Sequence, residues 1–186
     1  MPRLFVAIAI PLEISPALER LCVGLPAVRW TAPGDFHLTL RFIGEVDRPS
    51  FYEIGERLAD VRLPPLELAL KGLGVFPPRG DPHTLWVGVA AEEPLLLLKR
   101  RIDRVVDAVV AEREKRKFVP HVTLARFREP PPVERFGSWL ARRALLATPA
   151  FPVSGFHLYS RHLRADRAEH MIEASYDFVT GVAERV

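Results

Sequence analysis

The chain has a single cysteine, Cys22, which excludes an intrachain disulfide and a multi-thiolate zinc site, so nothing in it requires an oxidising compartment. Lysine is scarce as well. It stands only at positions 71, 99, 115 and 117, leaving arginine, whose planar fork suits phosphate, as the main cation. Net charge is small: Lys+Arg 26 against Asp+Glu 23 gives +3, too little excess for a protein that coats nucleic acid, although a local basic patch is compatible with it. No apolar stretch reaches the length of a membrane span, since the run Pro94 to Leu98 meets Lys99, Arg100 and Arg101 at once. The opening "MPRLFVAIAIP" is too short for a secretory signal and runs into Pro11 and Glu13. Long linkers and low-complexity segments are missing too, which argues against independently tethered domains. What is present is an ordinary globular composition, 48% hydrophobic and 26% charged over 186 residues, enough to bury a core of its own. The expectation is a soluble cytoplasmic protein with no obligate partner in evidence, and a monomer.

Strand and helix periods alternate along the chain. Leu4 to Ile10 reads as a strand covered on both faces, followed by a helix with Ser15 as N-cap, Pro16 at the first helical position, and Leu18, Leu21 and Leu25 on one side. Phe36 to Val46 alternates like a strand and ends in the turn residues of "GEVDRPS"; Phe51, Ile54, Leu58 and Val61 then mark a helix. Leu66 to Phe76 and Thr84 to Ala90 read as strands, and Leu95 to Val109 as the longest helix, closing on the solvated basic run Arg113 to Lys117. Phe118 to Phe127 returns to strand. Three prolines lead into a helix with Val133, Phe136, Leu140 and Ala144, and two strands, roughly Phe151 to Arg161 and His170 to Phe178, finish the chain.

Within this order lies a repeat. "HLTL" at His37 to Leu40 returns as "HVTL" at His121 to Leu124, 84 positions later, and "LFVAIAI" at Leu4 corresponds to "TLWVGVA" at Thr84, offset by 80. The reading is one α+β domain over residues 1–186, with two pseudo-symmetric lobes of mainly antiparallel sheet, outer helices and a groove between them.

Strand parity puts His37 and Thr39 on one face and Leu38 and Leu40 on the other; His121 with Thr123, and Val122 with Leu124, divide the same way. Each strand can thus anchor its apolar face and present an imidazole and a hydroxyl to a common groove. Two imidazoles so placed suit phosphoryl chemistry without a metal, one accepting a proton from water and the other donating to a leaving oxygen, each transfer contributing roughly 10²- to 10⁴-fold. The hydroxyls can hold non-bridging oxygens, and Arg41 and Arg126 are candidates to stabilise charge on them. Arg41 shares the parity of His37. Arg126 does not share that of His121, so either the strand ends or bulges after Leu124, or Arg126 lies outside the groove. A single His-x-Thr in a strand carries little weight, but two copies at equivalent repeat positions are hard to explain by structure alone. His83 reads as a turn residue. His157, His162 and His170 show no metal-ligand arrangement and read as strand or loop, with one of them free to line the groove. Trp30, Trp86 and Trp139 read first as core or rim, with Phe76, Trp86 and Tyr159 as candidates to stack a base.

These residues resemble the two-histidine (2H) phosphoesterases, and among them the bacterial and archaeal RNA 2′,3′-cyclic phosphodiesterases, also called 2′-5′ RNA ligases. "RLFVAIAIP" is similar to the family's first strand, "HLTLRFIGEV" and "PHVTLAR" to its two HxTx blocks, and "GVFP" and "LWVGV" to its middle strands. The resemblance implies a bilobal fold and metal-independent hydrolysis of cyclic phosphates at RNA ends or on small nucleotides, with no cofactor. It casts His37 as proton donor to the leaving 3′ oxygen, His121 as the acceptor that activates water to leave a 2′-phosphate, Thr39 and Thr123 as phosphate ligands, and Arg126 as the arginine after the second block. Reversible 2′-5′ ligation, and a non-catalytic nucleotide- or RNA-binding module of the same fold, are the alternatives. One departure stands near the end, where "RAEHMIEASYDF" has His170 in place of a tyrosine common in the family.

Overall fold

The computed structural model describes residues 3–114, 116–163 and 168–179. Strand β1 (Arg3–Ala9) is buried from Leu4 to Ile8 because it lies between two other strands and is covered on both faces, as its unbroken apolar run requires. Helix α1 (Ser15–Glu19) is one short turn and a half rather than the longer helix the leucine spacing suggests. Ser15 is not its cap; it is 3% exposed, and its hydroxyl reaches Pro33 O at 3.5 Å while Ile14 takes the capping place. Gly24, at φ +87, turns the chain before the helix can continue.

A short strand β2 (Val28–Trp30), which no periodicity in the sequence announces, precedes β3 (His37–Glu45). Helix α2 (Arg48–Leu58) begins at Asp47, whose carboxylate accepts from Ser50 N at 2.9 Å, and buries Ile54 and Leu58. The segment expected as one strand is two, β4 (Leu66–Leu68) and β5 (Leu70–Phe76), because β4 turns away to pair elsewhere. Next come β6 (Thr84–Val89), α3 (Glu93–Asp107), β7 (His121–Phe127), α4 (Val133–Ala141), β8 (Phe151–Val153), β9 (Gly155–Leu163) and β10 (Ala168–Asp177). Because α3 ends at Asp107, the basic run 113–117 lies in the connection to β7 instead of on a helix end; Lys115 lies outside the described residues. In α4 the buried side chain is Trp139, whose indole donates to Val23 O at 2.8 Å, while Val133 is exposed.

The long sheet runs β10-β9-β1-β3-β7-β6-β5, with β2 alongside β7, and every pairing in it is antiparallel. The α+β architecture of mainly antiparallel sheet therefore stands as read, with an exchange that the repeat alone does not disclose. Strand β9 of the second repeat pairs with β1 of the first, and β5 of the first pairs with β6 of the second. Strands β4 and β8, one from each repeat, pair with each other through Leu66↔Val153 to Leu68↔Phe151. Each wing of the sheet is thus built from both repeats. One continuous core, including Leu38, Leu40, Val122, Leu124, Ile54, Leu58, Leu98 and Ile102, underlies both wings. Fully burying each such side chain is worth roughly 1.5–3 kcal/mol.

Candidate active site

The wings meet where β3 and β7 touch, through one residue pair among the described residues, Leu38↔Val122. Both side chains are fully buried, and this pins the two strands side by side over the core. Pleat parity then turns His37, Thr39, His121 and Thr123 to the opposite face. The antiparallel register set by that pair carries His37 opposite Thr123 and Thr39 opposite His121, so each imidazole faces a hydroxyl-bearing residue of the other repeat.

Both histidines are oriented by the same local bond. Nδ1 of His37 lies 2.6 Å from Asp35 O, and Nδ1 of His121 lies 2.7 Å from Val119 O, in each case the carbonyl two residues upstream. A carbonyl only accepts, so Nδ1 carries the hydrogen in both rings and Nε2 is left as the atom for proton transfer. Burial pushes His37 down from 6.5 to about 4, against the favourable Asp35 carbonyl bond, with His170 depressing it further. Burial also lowers His121, and the Arg126 guanidinium adds to that. With no anion bound, both rings are neutral at pH 7.

The two arginines differ from the parity reading, for one reason. In β3, Thr39 pairs with Ala7 and Arg41 with Val6, leaving Leu40 as an extra residue; in β7, Thr123 pairs with Trp86 and Ala125 with Leu85, leaving Leu124 extra. These bulges occupy equivalent repeat positions, and each inverts the parity of the residues beyond it. Arg41 is thereby turned away from the groove: it is 3% exposed and bonded to Asp107 at 2.7 Å, Asp103 at 3.4 Å and Glu112 O at 3.3 Å, which ties β3 to α3. The expectation that Arg41 faces the phosphate is corrected accordingly. Phe42 takes that place, with its ring 6.2 Å from Phe5. The bulge in β7 does the reverse for Arg126, bringing it to the face of His121 and within electrostatic reach of His170.

Aromatic rings wall each histidine. On one side Phe5 is stacked on Tyr159 at 5.0 Å, with His37 at 5.2 Å and His170 at 5.3 Å from Phe5. The His37 and His170 rings meet edge to face at 5.1 Å. On the other side Phe76 stands edge-on to His121 at 4.9 Å, and Trp86 lies 5.8 Å from it. Tyr159, Phe76 and Trp86 are candidates from sequence; Phe5, Arg29 and Arg161 are additions from the structure. The sequence signal for Arg161 is its place two residues beyond Tyr159 in a strand, whereas Phe5 lies in an unbroken apolar run that gives none. Among the described residues no group of His, Cys, Asp and Glu is arranged to hold a metal ion. No described helix is long and apolar enough to cross a membrane.

The family profile of the 2′-5′ RNA ligase superfamily matches residues 17–165, a span that contains both HxTx strands. The chain belongs to this superfamily. Its relatives include the RNA 2′,3′-cyclic phosphodiesterase of Aeropyrum pernix, 44% identical over 95 residues, which cover 50% of this chain and 54% of that protein. The chain thus matches about half the length of that relative. The Archaeoglobus fulgidus protein of the same name is 33% identical over 134 residues, covering 70% of this chain and 75% of that one. Among solved structures, TT0787 of Thermus thermophilus superposes with a TM-score of 0.78 at 27% identity over 95% of this chain and 97% of that one. Escherichia coli LigT, solved with 3′-AMP, superposes at 0.76 and 24% identity over 96% and 99%, which shows the shared fold.

Proposed function

We propose that the chain hydrolyses 2′,3′-cyclic phosphates at RNA ends without a metal or cofactor, as a single bilobal unit spanning residues 1–186 and acting as a monomer in the cytoplasm. The observation that carries this reading is the matched pair of imidazoles, each with Nδ1 spent on a carbonyl and Nε2 left for the groove. Relatives that carry the name RNA 2′,3′-cyclic phosphodiesterase support the same chemistry.

In this mechanism the cyclic phosphate sits between Thr39 and Thr123, whose hydroxyls donate to its non-bridging oxygens, while Arg126 balances its negative charge. His121 accepts a proton from the attacking water. Arg126 beside it favours the neutral, basic form of that ring. His37 donates to the departing 3′ oxygen, leaving a 2′-phosphate. Its proton arrives with the substrate, because an anion next to the ring raises a pKa that burial, against the opposing pull of Asp35, holds at about 4 in the empty groove. The rings of Phe5, Tyr159, Phe76 and Trp86 beside the two imidazoles displace part of the surrounding water, so charges there are screened less than in open solvent.

The test is turnover of a short cyclic-ended RNA in EDTA by wild type, His37→Ala and His121→Ala. Each variant is expected to lose at least about 10²-fold in kcat/KM. Full activity in either, or complete loss in EDTA, overturns the mechanism. Chromatography of the products assigns the donor: a 3′-phosphate would exchange the leaving oxygen and sink the role given to His37. Supplying 5′-hydroxyl RNA in the same assay detects joining by the reverse proton transfers.

A further inference from the structure

A cyclic phosphodiester carries one negative charge, and Arg126 is enough to balance it. The groove holds more cation than that. Arg29 is the cross-strand partner of Arg126 on β2, exposed at the rim, and its neighbours Val28 and Trp30 pack into the core on the other face. Arg161 lies on the β9 side, two residues beyond Tyr159 and directly across from His170 on β10. Arg126 feels the charge of both Arg29 and Arg161, and His170 feels that of Arg161 and Arg126. Arg126 of β7 is therefore flanked by Arg29 of β2 on one side and by Arg161 and His170 of β9 and β10 on the other.

Among the described residues, none of Arg29, Arg126 and Arg161 is in an ion pair, whereas Arg3, the other cross-strand neighbour of Arg161, is held by Glu45 at 3.4 Å. The carboxylate that reaches His170 is Asp35, which serves His37 as well. Two nitrogens in the cluster, Nε of Arg161 and Nδ1 of His170, are buried with no partner among the described residues. Like charges held together, with buried nitrogens left unbonded, cost stability unless an anion completes them.

We propose that Arg161, His170 and Arg29 form a second phosphate subsite, beside the one that Thr39, Thr123 and Arg126 provide, and that it receives the phosphate on the 5′ side of the terminal nucleoside. This rests on the hydrolase reading and deepens it. The preferred substrate is then a cyclic-ended chain or a 5′-phosphorylated nucleotide, and a nucleoside 2′,3′-cyclic phosphate, which lacks that second phosphate, is a poor one.

The experiment compares kcat/KM for adenosine 2′,3′-cyclic phosphate, its 5′-phosphorylated form, and the dinucleotide ApA ending in a 2′,3′-cyclic phosphate. Wild type is expected to favour the last two by about tenfold or more, the scale of a charge-assisted contact to phosphate. Arg161→Gln and, separately, the exposed-strand variant Arg29→Gln should each shrink that ratio, and raising salt should shrink it in wild type. Equal kcat/KM on all three substrates, or a ratio that survives both substitutions, overturns the subsite. A preference for the 5′-phosphorylated nucleoside without one for the dinucleotide overturns the assignment to RNA chains. Should none of the three turn over, the hydrolase reading falls by itself, and calorimetry with adenosine 5′-monophosphate still decides the subsite: tighter binding to wild type than to Arg161→Gln supports it, and equal binding refutes it.

Discussion

Leu40 and Leu124 are the same residue of two repeats: each is the extra residue of a β-bulge three positions beyond a groove histidine, and each sends the next residue into the core. The bulge decides which arginine is turned into the core and which to the face of the histidines. In the first half the inward residue is Arg41 and the outward one Phe42; in the second half these are Ala125 and Arg126.

Arg41 and Arg126 are thus predicted to fail in different ways. Arg41→Gln leaves Asp107 of α3 without its buried partner and Asp103 with Lys99 alone, and should lower unfolding free energy by about 2–4 kcal/mol, with kcat/KM of the folded protein little changed. Arg126→Gln should do the opposite, cutting kcat/KM by about 10²-fold with little effect on stability. Urea unfolding and steady-state kinetics on both variants check this, and a catalytic defect in a well-folded Arg41→Gln would restore that residue to the groove.

Stability should fall with acid through His37. Its pKa is about 4 in the folded chain and 6.5 when unfolded, so below pH 6.5 the unfolded state takes up a proton that the folded state refuses. The stability that neutral His37 contributes is complete above 6.5 and is lost as pH falls toward 4, to the extent of about 3 kcal/mol. His121, His157 and His170 are depressed too and act in the same direction. Denaturation midpoints measured from pH 7 to pH 4 should therefore decline less steeply in His37→Gln than in wild type; parallel curves would contradict the burial of that ring.

The same depressed values shape the rate profile. The profile of kcat/KM reports the free enzyme's acid and base, so its optimum should lie between about 4 and 6.5. Bound phosphate raises both rings, and the optimum of kcat should accordingly sit at higher pH. A kcat/KM optimum above pH 7 would show that the donor is not an imidazole in the environment described.

Much of this site is legible in the sequence because the repeat isolates it: the pairs His37 with Thr39 and His121 with Thr123 need only period-2 parity and an 84-residue offset to be placed in one groove. The arginines are not legible by parity, because a bulge is a two-against-one mismatch between strands and only the partner's register reveals it. The exchange of β5 and β9 between wings escapes for a related reason, since hydrophobic periodicity says that a strand exists and not which neighbour it chooses. Helix α1 reads too long because Leu21 and Leu25 keep helical spacing while reaching the core from the irregular segment on either side of Gly24. Phe5 is hidden in a buried run whose two faces look alike in sequence, although one face packs the main core and the other packs Tyr159 and His37.

Gly74 offers a last check on the groove wall. A Cβ there would lie 2.1 Å from the Trp86 ring, so the indole rests on the β5 backbone only because residue 74 has no side chain. Gly74→Ala should push Trp86 off that surface, disturbing its contacts with Phe76 at 5.2 Å and His121 at 5.8 Å. The expected cost is about 1–3 kcal/mol of stability together with a measurable loss in kcat/KM. Shortening the ring relieves the clash, so Gly74→Ala combined with Trp86→Leu should be more stable than the sum of the two single changes predicts, by about 1 kcal/mol. Additive single and double variants would mean that Trp86 does not lie across Gly74, and would remove it from the wall beside His121.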